Sequence, residues 1–339
     1  MDQVNLKRLA KELNLAVSTV SRALSDSYDI SIETKEKVNA LAKKLNYHPN
    51  PYARSLRKRS SHTIAVIIPE IANNFFSLVI DGIEEVAQAN DYHVLIYLTH
   101  ENHVKEAAFV RHLMSGRVDG VLMSLASETD DMSHLYELTE QNIPVVFFDR
   151  VCDDIDTVKV TTNDYESGYL ATKHLIERGC TNISYLAFSG NLSIDQNRKQ
   201  GYLDALEDHH IPVKESSILL CSNDDKENKK KMRNLLSSEV PPDGIFASVE
   251  LLAIQCYEVC KELDLQIPRQ VKVISFSNLR TASLLAPPLT TITQPAFDIG
   301  KQAASALFQA LGKKAIKLSD QKIMLTSSLI ERESTAIEG

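Results

Sequence analysis

Glycine is scarce in this sequence, 11 of 339 residues, and none of the 11 falls in a nucleophile elbow, a phosphate-binding loop or a dinucleotide fingerprint. Those motifs need glycine because the backbone must turn sharply or approach a phosphate closely. The enzyme classes built on them find no support here, and no catalytic residue and no cofactor are expected. Long apolar runs are missing too. Charges interrupt each one, so no segment reads as a bilayer span, and the opening MDQVNLKRLAKELN lacks the pattern of a signal peptide. A cytoplasmic protein with no membrane partner is expected. The cysteines, Cys152, Cys180, Cys221, Cys256 and Cys260, are odd in number and scattered, which suits a reducing compartment and implies no disulfide. Cys256 and Cys260 stand four apart on a predicted helix, but no His or third Cys accompanies them. Core packing is their expected role, and no metal is assigned.

What the sequence does hold is length and an uneven distribution of charge. A chain of 339 residues is more than one core usually organises, which favours two or three domains. From Met1 to Ser61 there are twelve Lys/Arg against six Asp/Glu, so that segment carries +6 while the whole chain carries −8 and the remainder −14. A basic head on an acidic body points to a polyanion as partner of the head, with nucleic acid foremost.

The head reads as three short helices. NLKRLAKELN places Leu6, Leu9, Ala10 and Leu13 on one face, STVSRAL places Val20, Ala23 and Leu24 on another, and IETKEKVNALAKKLNY adds Val38, Leu41, Ala42 and Leu45 at helical spacing. Only NLAV separates the first two, and Asn14 can take the left-handed conformation that a tight turn requires. This is a helix-turn-helix arrangement. Val17, Ser18, Ser21 and Arg22 then project outward, short enough to let the helix sink into a major groove. Arg22 can reach guanine O6 and N7, and the hydroxyls of Ser18, Thr19 and Ser21 can bind phosphates or base edges. YHPNPYARSLRKRSSHT, residues 47–63, reads as a short helix inside a linker, with Asn50 as a possible cap and Arg54, Arg57, Lys58 and Arg59 facing phosphates. Such a helix is too short to form without a surface to order it.

The motifs STVSRAL, NYHPNPYARSLR and TIAVIIPE, in this order and spacing and followed to the ending LIERES, resemble the lactose-repressor/galactose-repressor (LacI/GalR) family of bacterial transcription regulators. The resemblance covers nearly the whole chain. It implies an N-terminal all-α helix-turn-helix domain over residues 1–48, a hinge helix and linker over 49–61, and an effector-binding and dimerisation body over 62–339. That body resembles periplasmic sugar-binding proteins.

The body supports this independently. Apolar runs IAVIIPE, HVLIYLT, GVLMSLA, PVVFFDR, ISYLAF, GIFASV and VKVISFS alternate with helical patterns near 77–89, 103–115, 165–178, 250–263 and 296–311. Continuous Val/Ile/Leu runs separated by helices indicate parallel strands covered on both faces, hence a doubly wound α/β fold. About 275 residues exceed one such sheet, so two lobes with a cleft at the C-terminal strand ends are expected. The resemblance implies three crossings between lobes, placed near Thr161–Asn163, Thr291–Thr293 and Lys322–Met324. Lobe 1 then covers about 62–161 and 293–322, and lobe 2 about 162–292 and 323–339.

Carried over residue by residue, the resemblance puts Val17 on a thymine methyl, Ser18 on either base and Arg22 on a guanine, and counts Asn5, Thr19 and Ser21 with the DNA contacts. In the hinge it has Asn50 capping, Ala53 allowing close approach, Arg54 and Arg57 contacting DNA, and Leu56 wedging into the central operator step and kinking it. The sequence departs from the family at Arg8, Asn14 and Ala16, which stand where Asp, Gly and an N-capping Ser are usual. For the effector it points to Asp149 and Arg198 as grips on polar groups and to Phe75 and Phe76, after Asn74, as an apolar wall. Val249, Glu250 and Ser277 occupy positions where the family often has Asn, Asp and Asp on sugar hydroxyls. With those acids gone, Arg198 is expected to meet an effector carrying its own anion, a sugar acid or phosphate, with a neutral sugar as runner-up. The expected function is a ligand-responsive, sequence-specific DNA-binding regulator, more a repressor than an activator. It would act as a homodimer on a double-stranded palindromic operator, since the ending STAIEG lacks the heptads of a tetramer tail. A cytosolic solute-binding or sensor protein is the alternative, and it has no use for the basic head.

Overall fold

The computed structural model of the protein describes residues 5–47, 60–115, 117–127, 131–188, 192–312 and 318–337. The chain divides into two compact units, residues 1–61 and 62–339.

In the first unit, α1 (Leu6–Leu13), α2 (Val17–Leu24) and α3 (Ile32–Lys44) share one core. Leu9, Val20 and Val38 are fully buried and Ala10, Ala23 and Ala42 nearly so, with Leu6, Leu13, Leu24 and Leu41 packed around them. Helices this short are marginal in isolation, so burial of these residues holds them, and a Leu9→Ala cavity would cost about 2–5 kcal/mol. The Asn5 side chain caps α1 by accepting from the Arg8 N–H at 3.0 Å, and Asn14 closes it in the left-handed region at φ 51°. Ala16 gives α2 no side-chain cap, as its departure from the family implies. Ser31 caps α3 through the Thr34 N–H at 3.3 Å.

The second unit is two six-stranded sheets. The first has the order β11-β5-β4-β3-β1-β2, from β1 (Thr63–Ile68), β2 (His93–Leu98), β3 (Gly120–Met123), β4 (Val145–Phe148), β5 (Val158–Thr162) and β11 (Gln321–Leu325). All its pairings are parallel. The second has the order β12-β10-β9-β8-β6-β7, from β6 (Ile183–Ala187), β7 (Ile218–Leu220), β8 (Gly244–Ala247), β9 (Lys272–Phe276), β10 (Thr290–Thr293) and β12 (Ser328–Ile330), where only the β10–β12 pair is antiparallel. Helices α4 (Asn74–Ala89), α5 (His103–Leu113), α6 (Ser133–Glu140) and α11 (Ala296–Leu311) belong to the first lobe. The second carries α7 (Asp164–Glu177), α8 (Ser193–Asp208), α9 (Asp225–Leu236) and α10 (Glu250–Glu262). The fully buried strands explain the continuous apolar runs.

The chain passes between sheets after β5, after β10 and after β11. The second and third passages fall just past the expected Thr291–Thr293 and Lys322–Met324: these residues lie inside β10 and β11, and the chain leaves the two sheets only after Thr293 and Leu325. The pairing of β11 with β5, which its short sequence does not announce, moves the border. Cys256 and Cys260 lie in the core of the second lobe with Leu252 and Val273, as their apolar face on α10 implies.

One crossing fixes the functional geometry. Helices α7 and α8 meet through Gly168 and Gly201, where a Cβ would come within 2.4 Å of the Arg198 carbonyl oxygen and 2.2 Å of the Tyr165 carbonyl oxygen. Only glycine permits that approach, and it sets Arg198 beside the first residue of α7.

Candidate functional site

On the first unit, helical spacing puts Val17 and Ser21 in one row and Ser18 and Arg22 in the next, four residues apart in each. Val17, Ser18 and Arg22 are exposed, whereas Thr19 and Ser21 are half-buried. The Arg22 guanidinium bonds the Asp29 carboxylate. That carboxyl is held below its usual range first by the Ser27 hydroxyl and then by Arg22. Asn5 spends its side-chain oxygen on the α1 cap. Asn50, Ala53, Arg54, Leu56 and Arg57 lie outside the described residues. What the unit presents is a short helix with a shallow apolar and hydroxylated face ending in an arginine.

On the second unit, a cleft open to solvent lies between the lobes at the C-terminal ends of the strands. Phe75, Phe76, Asp149, Arg198, Val249, Glu250 and Ser277 all line it, joined by Asn73, Arg150, Ile194, Phe276, Asn278 and Gln294. Asn74 does not line it and instead bridges the lobes: its N–H and Nδ2 each donate to Glu250 Oε1 at 3.3 Å. Glu250 Oε2 accepts from Ser277 Oγ at 2.9 Å and from the Asn278 N–H at 3.2 Å. Phe75 and Phe76 meet edge to face, 5.2 Å between centroids, and are at once core of the first lobe and wall of the cleft.

Arg198 is buried. Its Nε donates to Asp164 Oδ1 at 2.7 Å and its Nη1 to the Ser248 carbonyl at 2.8 Å, while its carbon Cζ sits 3.7 Å from the centroid of the Phe276 ring. Its Nη2 has no acceptor among the described residues. Burial works against its charge, and the carboxylates of Asp164, Asp149 and Asp195 outweigh that. Arg150 is likewise paired, its Nη1 within 2.8 and 2.7 Å of the two Glu101 oxygens. Asp149 has φ 60°, a left-handed conformation that Asp tolerates. Burial pushes its carboxyl up to about 6, with Arg150 and Arg198 restraining the rise. Asn278 Oδ1 is buried without a hydrogen-bond partner among the described residues. The arrangement offers aromatic walls, balanced buried ion pairs and a few unspent donors and acceptors, which is a binding site and not a nucleophilic one.

The family model of periplasmic binding proteins and the sugar-binding domain of the LacI family matches residues 61–332, and that of the lacI family of bacterial regulatory proteins matches residues 5–50. The chain belongs to the LacI family. Its relatives include the HTH-type transcriptional regulator DegA of Bacillus subtilis (strain 168), 30% identical over 97% of both chains. The HTH-type transcriptional repressor PurR of Yersinia pestis bv. Antiqua (strain Antiqua) is 31% identical over 98% of this chain and 96% of that one. The fold is that of the lac repressor dimer bound to operator and the anti-inducer ONPF, at TM-score 0.84 and 22% identity over 98% and 99% of the two chains. This LacI-family chain is a DNA-binding transcriptional regulator, not an enzyme.

Several features of its cleft escaped the sequence. Asp164 belongs to no motif, and it overturns the premise that Arg198 has few acidic neighbours: Asp164 bonds it and the Asp149 charge acts on it. Arg150 and Asn278 sit beside Asp149 and Ser277 in DR and SN, a usable signal at strand ends. Ile194 and Gln294 are ordinary residues brought in by α8 and by the second crossing, and nothing local marks them. Among the described residues, no helix is long and apolar enough to cross a membrane.

Proposed function

We propose that the protein acts as a homodimeric repressor on a palindromic operator and responds to a neutral, polyhydroxylated effector of the sugar class held in the interlobe cleft. Each subunit would place α2 in one half-site, with Val17, Ser18 and Arg22 toward the bases and Thr19 and Ser21 toward phosphates or base edges. The single observation that carries the effector class is the pairing of both cleft arginines, Arg198 with Asp164 and Arg150 with Glu101. An incoming anion would meet no uncompensated cation and would face Asp149 and Glu250 as well. A hydroxyl-rich ligand instead finds an acceptor in Asn278 Oδ1, a donor in Arg198 Nη2 and a stacking wall in Phe75 and Phe76. This favours the neutral sugar over the sugar acid or phosphate.

Binding would favour one closure angle of the lobes, and the dimer would pass that bias to the DNA-binding heads, shifting an existing population. The test is a thermal-shift and calorimetric screen of the full chain against neutral sugars, sugar acids and sugar phosphates. A neutral sugar is expected to raise the melting temperature and release or strengthen operator binding. Stabilisation by anionic sugars alone would overturn the effector class. Arg198→Ala, made together with Asp164→Asn so that no buried carboxylate is stranded, is expected to abolish the response while operator binding survives.

A further inference from the structure

Away from the cleft arginines, the first lobe holds a cluster of a different kind. His103 opens α5, Glu106 follows one turn later on the same face, and His134 lies at the start of α6. One donor atom from each of the three lies within 4.8 Å of the other two. Glu106 is fully buried and His134 is 1% exposed. His134 Nε2 stands 3.0 Å from Glu106 Oε1, and Glu106 Oε2 accepts the Ala126 N–H at 2.8 Å, a contact that fixes the carboxylate with its other oxygen toward the imidazole.

A second observation is independent of that geometry. His103 Nδ1 and His134 Nδ1 are both buried, and neither has a hydrogen-bond partner among the described residues. The two rings meet edge to face with centroids 5.4 Å apart. Buried polar atoms without partners are rare because each forfeits its hydration for nothing. His134 meets the buried carboxylate through Nε2 and leaves Nδ1 unspent, so a metal ion held by Glu106 would take one nitrogen from each imidazole in place of the present Nε2–carboxylate bond and the unmade ones.

We propose that His103, Glu106 and His134 bind a divalent transition-metal ion of the zinc type. Two imidazoles and one carboxylate match the three-ligand set of open zinc sites, and imidazole donors disfavour magnesium and calcium, which take oxygen. An ion about 2.0–2.2 Å from each donor draws this set together by side-chain rotation. His103 lies at the positive end of α5, which opposes a cation, so the negative charge of Glu106 is the part of the site that makes a cation favourable there. An ion would tie the first turn of α5 to that of α6.

The test uses the full chain, free of any affinity tag and stripped with chelator, titrated calorimetrically with zinc chloride and followed with cobalt(II) absorption. One equivalent per chain is expected, with visible cobalt bands of nitrogen and oxygen ligation. His103→Ala and Glu106→Gln are expected to weaken binding by at least about 10–100-fold. The apo variants should match apo wild type in circular dichroism, and Glu106→Gln keeps an acceptor for Ala126. Absence of binding by wild type, or zinc affinity unchanged in both variants, would overturn the site.

Discussion

Glu250, at the first turn of α10 in one lobe, holds Asn74, at the first turn of α4 in the other, through two 3.3 Å bonds to one carboxylate oxygen. The second oxygen is anchored on its own lobe by Ser277 and Asn278. The pair ties the two lobes together across the cleft. Bonds to a charged acceptor contribute about 1.5–3 kcal/mol at good geometry, and at this length the lower end applies. Removing one should move the closure equilibrium about tenfold. A ligand that selects the closed form then binds about tenfold more weakly. Asn74→Ala removes the Nδ2 bond without touching the cleft lining, and calorimetry with the effector should show that loss. Unchanged affinity would mean closure does not depend on this tie.

The buried pair Arg198–Asp164 makes a second prediction, on stability. Stranding one member of a buried pair costs about 3–5 kcal/mol, so Arg198→Met alone should destabilise the body by that order. Arg198→Met with Asp164→Leu should cost much less than the sum of the singles. Denaturant unfolding of the four proteins reads the coupling directly, and simple additivity would contradict the structure.

How much of this was legible beforehand follows element by element. The helix-turn-helix could be read because its core, Leu9, Val20 and Val38, is written at helical spacing and its turn needs Asn14. The strands β1, β3, β4, β6, β8 and β9 could be read because burial on both faces demands unbroken apolar runs. The edge strands β11 and β12 could not, since they are five and three residues long and their place is set by pairing with the distant β5 and β10. In the cleft, Asp149 and Arg198 came with the family resemblance. The partnership of Arg198 with Asp164 came only with the Gly168–Gly201 crossing, which joins residues 34 positions apart. That single missed contact reverses the charge argument for the effector.

Asp149 makes the body's stability depend on pH. Its folded value, about 6, lies above the ordinary 3.8 because burial disfavours the carboxylate. Below about pH 3.8 both states are protonated and nothing is lost. As pH rises to 6 the unfolded chain ionises first, and stability falls by an amount that reaches about 3 kcal/mol above that range. Asp149→Asn keeps the left-handed backbone and removes the charge. It should melt higher than wild type at pH 7.5, with the advantage shrinking as pH is lowered through 6 toward 4. Parallel melting curves across that range would refute the buried carboxylate as their source.

Arg22 is the most direct test of base reading. Its guanidinium is held by Asp29 in the absence of DNA, but Arg22 is exposed and Asp29 lies at the surface, so solvent screens the pair and it contributes little. Exchange of that carboxylate for guanine O6 and N7 therefore meets a small barrier. Arg22→Ala should cost about 1–3 kcal/mol of binding to a selected operator and relax the preference at one base position in each half-site. Asp29→Ala, which removes only the resting partner, should leave that preference intact. Selection of operators with the three proteins distinguishes the cases. Relaxation by Asp29→Ala as large as that by Arg22→Ala would show that the ion pair, and not the arginine's reach to a base, sets the specificity.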